Sequence, residues 1–225
     1  MLTTALLCAA LGAAPCPPAA APSASDSLTV ARLQYEGGGD WYANPSSLPN
    51  LLEAIAQRTG IPVARREVVV SPLDPGLRDH PYLYMTGHGN VRFTLQERAA
   101  LRAYLLDGGF LHADDNYGLD ESFRREIAAL FSDRELVELP PSHSVFHGLY
   151  DLDDGLPKIH EHDGGRPQGF GIFEDGRLMV FYSFESDLGD GWEDPDVHDD
   201  TAEVREAALR MGVNLFLYVL GGGIG

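Results

Sequence analysis

Between Pro81 and Asn116 short apolar runs alternate with one amphipathic stretch, and their order predicts strand, loop, helix and strand. Tyr82 to Thr86 is short and aromatic-rich, and it ends in Gly87-His88-Gly89, where the backbone can turn sharply or approach a ligand. Thr94 and Glu97 have the spacing of a capping box. Leu101, Tyr104 and Leu105 then recur at helical spacing, and Gly108-Gly109 closes the helix. Phe110 to Ala113 forms the next buried strand and leaves through Asp114-Asp115-Asn116. Strand, crossover helix and strand make a βαβ unit with two parallel strands, so His88 and two carboxylates arrive at the same sheet edge. In open α/β sheets that carboxyl edge is where ligands bind.

The rest of the chain extends this alternation. Leu28 to Tyr35 reads as a first strand running into Glu36-Gly37-Gly38-Gly39-Asp40-Trp41-Tyr42, and a helix from Leu48 to Arg58 stops at Gly60 and Pro62. Val63 to Val70 supplies another strand. After the central unit, Glu121 to Phe131 is a helix and Glu135 to Leu139 a strand. A long, loosely patterned segment follows, containing His143, His147, His160 and His162. Phe170 to Phe173 and Leu178 to Phe184 form a hairpin around Glu174-Asp175-Gly176-Arg177, and a helix from about Thr201 to Leu220 ends the pattern.

Length allows one core, so the expected organisation is a leader and spacer over residues 1–25 and a single α/β domain over residues 26–225. Leu2 to Ala14 is apolar, too short to cross a bilayer, and resembles the apolar region of a secretory signal; the expected location is therefore periplasmic or secreted. Both cysteines, Cys8 and Cys16, fall inside this leader. The domain that follows then has no thiol for disulfides, nucleophilic attack or metal binding. Its formal charge is −18 with one lysine, Lys158, which argues against nucleic acid as a partner, and no transmembrane helix is expected. Much of the acidity lies between Glu185 and Asp200, where crowded carboxylates can attract a divalent cation.

Three blocks together resemble the bacterial family catalogued as domain of unknown function 4159: Arg32-Leu33-Gln34-Tyr35 through Gly37 to Tyr42, Gly87-His88-Gly89, and Asp107-Gly108-Gly109-Phe110 through Asp115. More distantly, the helix-Gly-Gly-strand unit and Ser142 to Leu149 are similar to the trehalose-utilisation-type branch of the class I glutamine amidotransferase-like fold, with Ser144 where that branch tends to carry proline. The resemblance implies a flavodoxin-like, doubly wound, mainly parallel sheet. It also places the nucleophile elbow of true amidotransferases after the Gly-Gly strand. Asp114-Asp115 stand there instead of a cysteine, so glutaminase chemistry is excluded.

The candidate chemistry gathers at predicted strand ends. His88, Asp114 and Asp115 are the catalytic candidates, and Glu36, Asp40, Trp41, Gly87, Asn116 and Glu185 the ligand-binding ones. Each carries a plainer alternative. If Ala113 ends its strand, Asp114 and Asp115 diverge and one of them caps the next turn. Trp41 either stacks a sugar face beside Tyr42 or plugs the end of the first helix. His112 reads as a hydrogen-bonded core histidine. His160-Glu161-His162 is either a surface loop or, if extended, two imidazoles on one face that can hold a metal. The expected function is binding of a small polar ligand or an envelope protein at the carboxyl edge; the alternative is a hydrolase for a carbohydrate or amide, with or without a divalent cation.

Overall fold

The computed structural model describes residues 28–222. The expected leader, with Cys8 and Cys16, lies outside them. The elements are β1 (Ala31–Leu33), α1 (Ser47–Thr59), β2 (Val68–Val70), β3 (Tyr82–Gly87), α2 (Leu95–Leu106), β4 (Phe110–Asp115), α3 (Asp120–Leu130), β5 (Val137–Glu138), β6 (Gln168–Glu174), β7 (Arg177–Phe184), α4 (Leu188–Trp192) and α5 (Ala202–Leu220). They build a mixed α/β domain on one seven-stranded sheet of order β2-β1-β3-β4-β7-β6-β5. The run β2-β1-β3-β4-β7 is parallel, and β7-β6-β5 is antiparallel.

Strand alternation sorts the side chains into two cores. Leu83 and Met85 of β3 and Leu111 and Ala113 of β4 face α2 and α3, together with Leu101, Tyr104, Phe123 and Ile127. Tyr82, Tyr84 and Phe110 face the other way, onto α1, α4 and α5 through Leu51, Leu52, Ile55, Trp192, Met211 and Leu215. Because helices cover both faces, the central strands are buried throughout and read as continuous apolar runs. The capping box of α2 forms as its sequence predicts: Glu97 N–H donates to Thr94 Oγ1 at 3.2 Å, and Thr94 N–H to Glu97 Oε2 at 2.7 Å.

The edge strands are shorter than their apolar runs. β1 spans Ala31–Leu33 instead of Leu28 to Tyr35, and β2 Val68–Val70 instead of Val63 to Val70. The chain bends at Arg65 and Arg66, so Leu28 and Val63 meet only in an isolated bridge and Thr29 Oγ1 donates to the Arg66 carbonyl at 3.1 Å. β5 likewise keeps two residues, Val137–Glu138. One element has no sequence signal: α4 lies inside the acidic stretch with glycines at two of its five positions.

Candidate functional site

The loop after β1 is fixed from beneath. Arg32, nearly fully buried, donates through Nη1 to the Ala43 carbonyl at 2.7 Å and through Nη2 to the Asn44 carbonyl at 3.1 Å. These bonds hold Asn44 in a left-handed backbone, φ 56°, and aim its side chain across the sheet edge. Asn44 Nδ2 donates to Asp190 Oδ1 at 2.6 Å, while its own oxygen accepts from Asn116 Nδ2 at 3.0 Å. Thr86 Oγ1 in turn donates to Asn116 Oδ1 at 2.8 Å. The ends of β1, β3 and β4 and the start of α4 are thereby tied into one polar network.

Behind it runs a chain of buried polar groups on a single face of β4. Tyr82 Oη meets His112 Nδ1 at 3.1 Å, His112 Nε2 meets Ser183 Oγ at 2.9 Å, and Ser183 bonds the Asp114 carboxylate. Asp114 can only accept while ionised, so Ser183 donates to it, His112 Nε2–H donates to Ser183, and Tyr82 donates to Nδ1. Burial pushes the His112 imidazole down to about 3 and holds it neutral. Asp114 also accepts from Tyr84 Oη at 3.1 Å and from the N–H groups of Leu188 and Gly189 at 3.2 and 2.7 Å. Burial raises its carboxyl to about 6 in spite of these bonds.

Asp115 points to the opposite face, as strand parity demands. Its Oδ1 accepts the N–H groups of Tyr117 and Leu119, both at 3.0 Å, and Tyr182 Oη lies 3.3 Å from Oδ2. The two neighbouring acids therefore brace two different loops, the turn into α3 and the start of α4.

Beyond the strand ends lies a group of imidazoles and acids. Asp187, 0% exposed and held at φ 61°, bonds His162 Nε2 through Oδ2, while its Oδ1 is buried with no partner among the described residues. Burial first, then the negative charges of Asp114, Asp190 and Asp115, raise its carboxyl to about 9. Tyr117, half exposed, lies over His162 with ring centres 4.8 Å apart and planes at 33°. Next to this pair, His160 Nδ1 is 2.9 Å from Asp190 Oδ2, and His198 Nε2 is 3.6 Å from Asp190 Oδ1 and 2.9 Å from Glu193 Oε2. Among the described residues, His160, Asp190 and His198 form the group whose donor atoms converge within 4.8 Å, close enough to consider a metal ion. Of the non-glycine residues with positive φ, Asn44, Tyr117, Glu185, Asp187 and Asp199 all belong to the segments that build this region. Such backbone strain persists where surrounding contacts over-determine it.

The sequence candidates fall into separate positions on this edge. His88 and Asp40 pair in the crevice between β1 and β3, Nδ1 to Oδ2 at 3.1 Å, where the strand order reverses. Gly87 permits that approach: at φ +138° a Cβ there would sit 2.4 Å from Tyr35 Oη and 2.9 Å from the Asp40 carbonyl. Asn116 joins the buried network. Glu185 pairs with Lys158 at 2.7 Å. Glu36 is exposed and its backbone bridges to Arg92, and Trp41 packs its ring on the core beside α2 and α3. Asp187, grouped with Glu185 at the end of its strand in the sequence, lies at the centre of this region, whereas Asn44, Tyr117, Asp190, Glu193, His198 and Asp200 are not singled out by the sequence. The signal that reaches most of them is the mixture of His198 with acids inside Glu185 to Asp200, read together with His160-Glu161-His162.

A family model described as "Domain of unknown function (DUF4159)" matches residues 29–220. The chain belongs to that family, and the match spans every strand and helix described above. No curated protein matches it.

Proposed function

We propose that this chain is an amidotransferase-like domain without thiol chemistry that binds a small polar ligand at the carboxyl edge of its sheet. The order β2-β1-β3-β4, parallel throughout, supports the flavodoxin-like reading, and the resemblance to amidotransferases would set Asp114-Asp115, after the Gly-Gly strand, in the place of their thiol. The observation that carries the binding reading is Asp187 Oδ1, a fully buried carboxyl oxygen without a partner among the described residues, beside the part-buried ring of His162 and the half-exposed ring of Tyr117. A buried orphan oxygen is costly, and a ligand hydroxyl, amine or amide N–H would satisfy it. Tyr117 adds an exposed ring face of the kind that covers the apolar side of a sugar. Export to the periplasm or beyond belongs to the same proposal and rests on the apolar run Leu2 to Ala14.

The test is a thermal-shift panel of sugars, polyols, amino acids and amides on wild type and Tyr117→Ala. At least one polyhydroxylated or amide compound should raise the melting temperature of wild type by a few degrees and leave Tyr117→Ala unmoved. No shift in any compound, or equal shifts in both proteins, would reject the site.

A second reading, hydrolysis of a carbohydrate or amide, is favoured by one further feature. An Asp187 carboxyl raised to about 9 keeps its proton at neutral pH and is poised as a general acid, with His162 on its other oxygen. Release of reducing sugar or ammonia from the bound compound, lost in Asp187→Asn, would establish it; binding without turnover would leave the domain a receptor.

A further inference from the structure

The imidazoles of His160 and His198 stand 5.1 Å apart with their planes at 88°, and the Asp190 carboxylate lies between them. Glu193 closes the far side, its Oε2 being 2.9 Å from the His198 nitrogen that also faces Asp190. Two imidazoles with a carboxylate between them are a donor set that selects a first-row transition ion over magnesium or calcium, which prefer all-oxygen shells. Ligands bound to such an ion at about 2.0–2.2 Å lie roughly 3–4 Å from one another. The three donor atoms of His160, Asp190 and His198 are within 4.8 Å of one another, about an ångström more than a bound ion requires.

Three independent features surround this set. First, each carboxylate is already aimed: Asn44 donates to Asp190 Oδ1 at 2.6 Å, and the N–H and Oγ of Ser46 donate to Glu193 Oε1 at 3.3 and 3.1 Å. Second, the Nε2 of His160, on the side of the ring away from Asp190, faces Asp200 Oδ1 at 3.8 Å, just beyond hydrogen-bond distance and on the side from which a carboxylate orients a ligating histidine. Third, Asp200 is only 10% exposed and its Oδ2 is buried with no partner among the described residues. Asp190, Glu193 and Asp200 thus concentrate three carboxylates around two imidazoles, and a buried carboxylate left unpaired is costly unless a cation stands nearby.

We infer that His160 Nδ1, His198 Nε2 and Asp190 bind a divalent transition ion of the zinc type, with Glu193, beside His198, as the carboxylate that swings in to complete the shell and Asp200 orienting His160. His160 and His198 retain 31% and 23% side-chain exposure, so the ion is reached from solvent and has room for a water or a ligand atom. A site open in this way is of the catalytic rather than the closed structural kind. The inference deepens the binding reading given above and rests on the same edge of the sheet being a binding site.

The test uses the untagged full chain, treated with chelator, dialysed and incubated with zinc, magnesium or calcium. Mass spectrometric metal analysis should find one zinc per chain, and excess magnesium or calcium should not displace it. Cobalt(II) in its place should show the visible absorption of a four- or five-coordinate nitrogen-oxygen site. His198→Ala should weaken zinc binding at least about tenfold, and His147→Ala, remote from the cluster, should not. Wild type that retains no zinc and gives only the spectrum of hydrated cobalt overturns the inference, as does zinc held equally well by His198→Ala. If His198→Ala fails to fold, the wild-type stoichiometry and cobalt spectrum decide alone. Metal is read here with no organic ligand present, whereas the polar-ligand reading stands or falls on Tyr117→Ala, so the two failures are distinguishable.

Discussion

The Asp114 carboxylate at the end of β4 accepts the N–H of Gly189 at 2.7 Å, across 75 residues of chain. Gly189 is the second residue of α4, and a side chain there would collide with Tyr84 Oη at 2.5 Å and Asn44 Nδ2 at 2.8 Å. Strand end and helix start are therefore fitted to each other at backbone distance. All the acceptor capacity of Asp114 that these contacts define goes to Tyr84, Ser183, Leu188 and Gly189.

Asp114→Asn puts an NH2 group against one backbone N–H, that of Leu188 on Oδ1 or that of Gly189 on Oδ2, whichever oxygen it replaces. A loss of about 1–3 kcal/mol in stability is expected from urea unfolding, with the ligand and cation response of the folded protein unchanged. Asp115→Asn should cost about 1 kcal/mol, the usual value of a lost cap. Unchanged stability with an altered ligand response would instead make these acids part of the ligand's surroundings.

His112 is held neutral inside the fold, at about 3, against 6.5 when free. Below pH about 6.5 unfolding takes up a proton that the folded ring refuses, so this residue lowers stability progressively as pH falls from about 6.5 towards 3. Ring nitrogen shifts should report the Nε2–H tautomer at pH 7, where Asp114 is ionised, and a ring that is still neutral at pH 5. A positively charged ring at that pH would contradict the hydrogen-bond order from Tyr82 to Asp114.

Asp187 has the opposite sign. Its folded carboxyl, at about 9, keeps a proton that the unfolded chain releases near 3.8, so unfolding releases a proton between these values and stability falls as pH rises through them. The slope from this group is at most about 1.4 kcal/mol per pH unit. Asp187→Asn mimics the protonated form and should exceed wild type in melting temperature at pH 8, with the advantage shrinking towards pH 5. An offset independent of pH would mean that Asp187 is ionised in the fold.

Gly87→Ala should be among the costlier small substitutions on this edge. The positive φ alone costs about 1–3 kcal/mol, and the new methyl meets Tyr35 Oη and the Asp40 backbone. Unfolding should show a loss of at least about 2 kcal/mol, and the His88 resonances should shift as the pair with Asp40 opens. A neutral effect on both would show that the crevice between β1 and β3 is loosely held.

What the sequence determined by itself was local. The periodicity from Pro81 to Asn116, the Thr94–Glu97 box and the Gly-Gly closure fix β3, α2 and β4, because a crossover of that length admits one parallel pairing and each signal acts within a few residues. Parity along β4 likewise dictates that Asp114 and Asp115 diverge. Only the tertiary structure decided which acids brace loops and which converge. His160 and His162 come from an irregular segment, and Asp187, Asp190 and His198 follow a strand that reaches its place by antiparallel pairing with β6. No periodicity relates those two segments; they meet because Ile159 and His160 donate their N–H groups to the Ser186 carbonyl at 2.9 and 3.3 Å. α4 was hidden for the same reason: two glycines in five residues give it no helical propensity, and it is held by Asp114 at its start and the burial of Trp192 at its end.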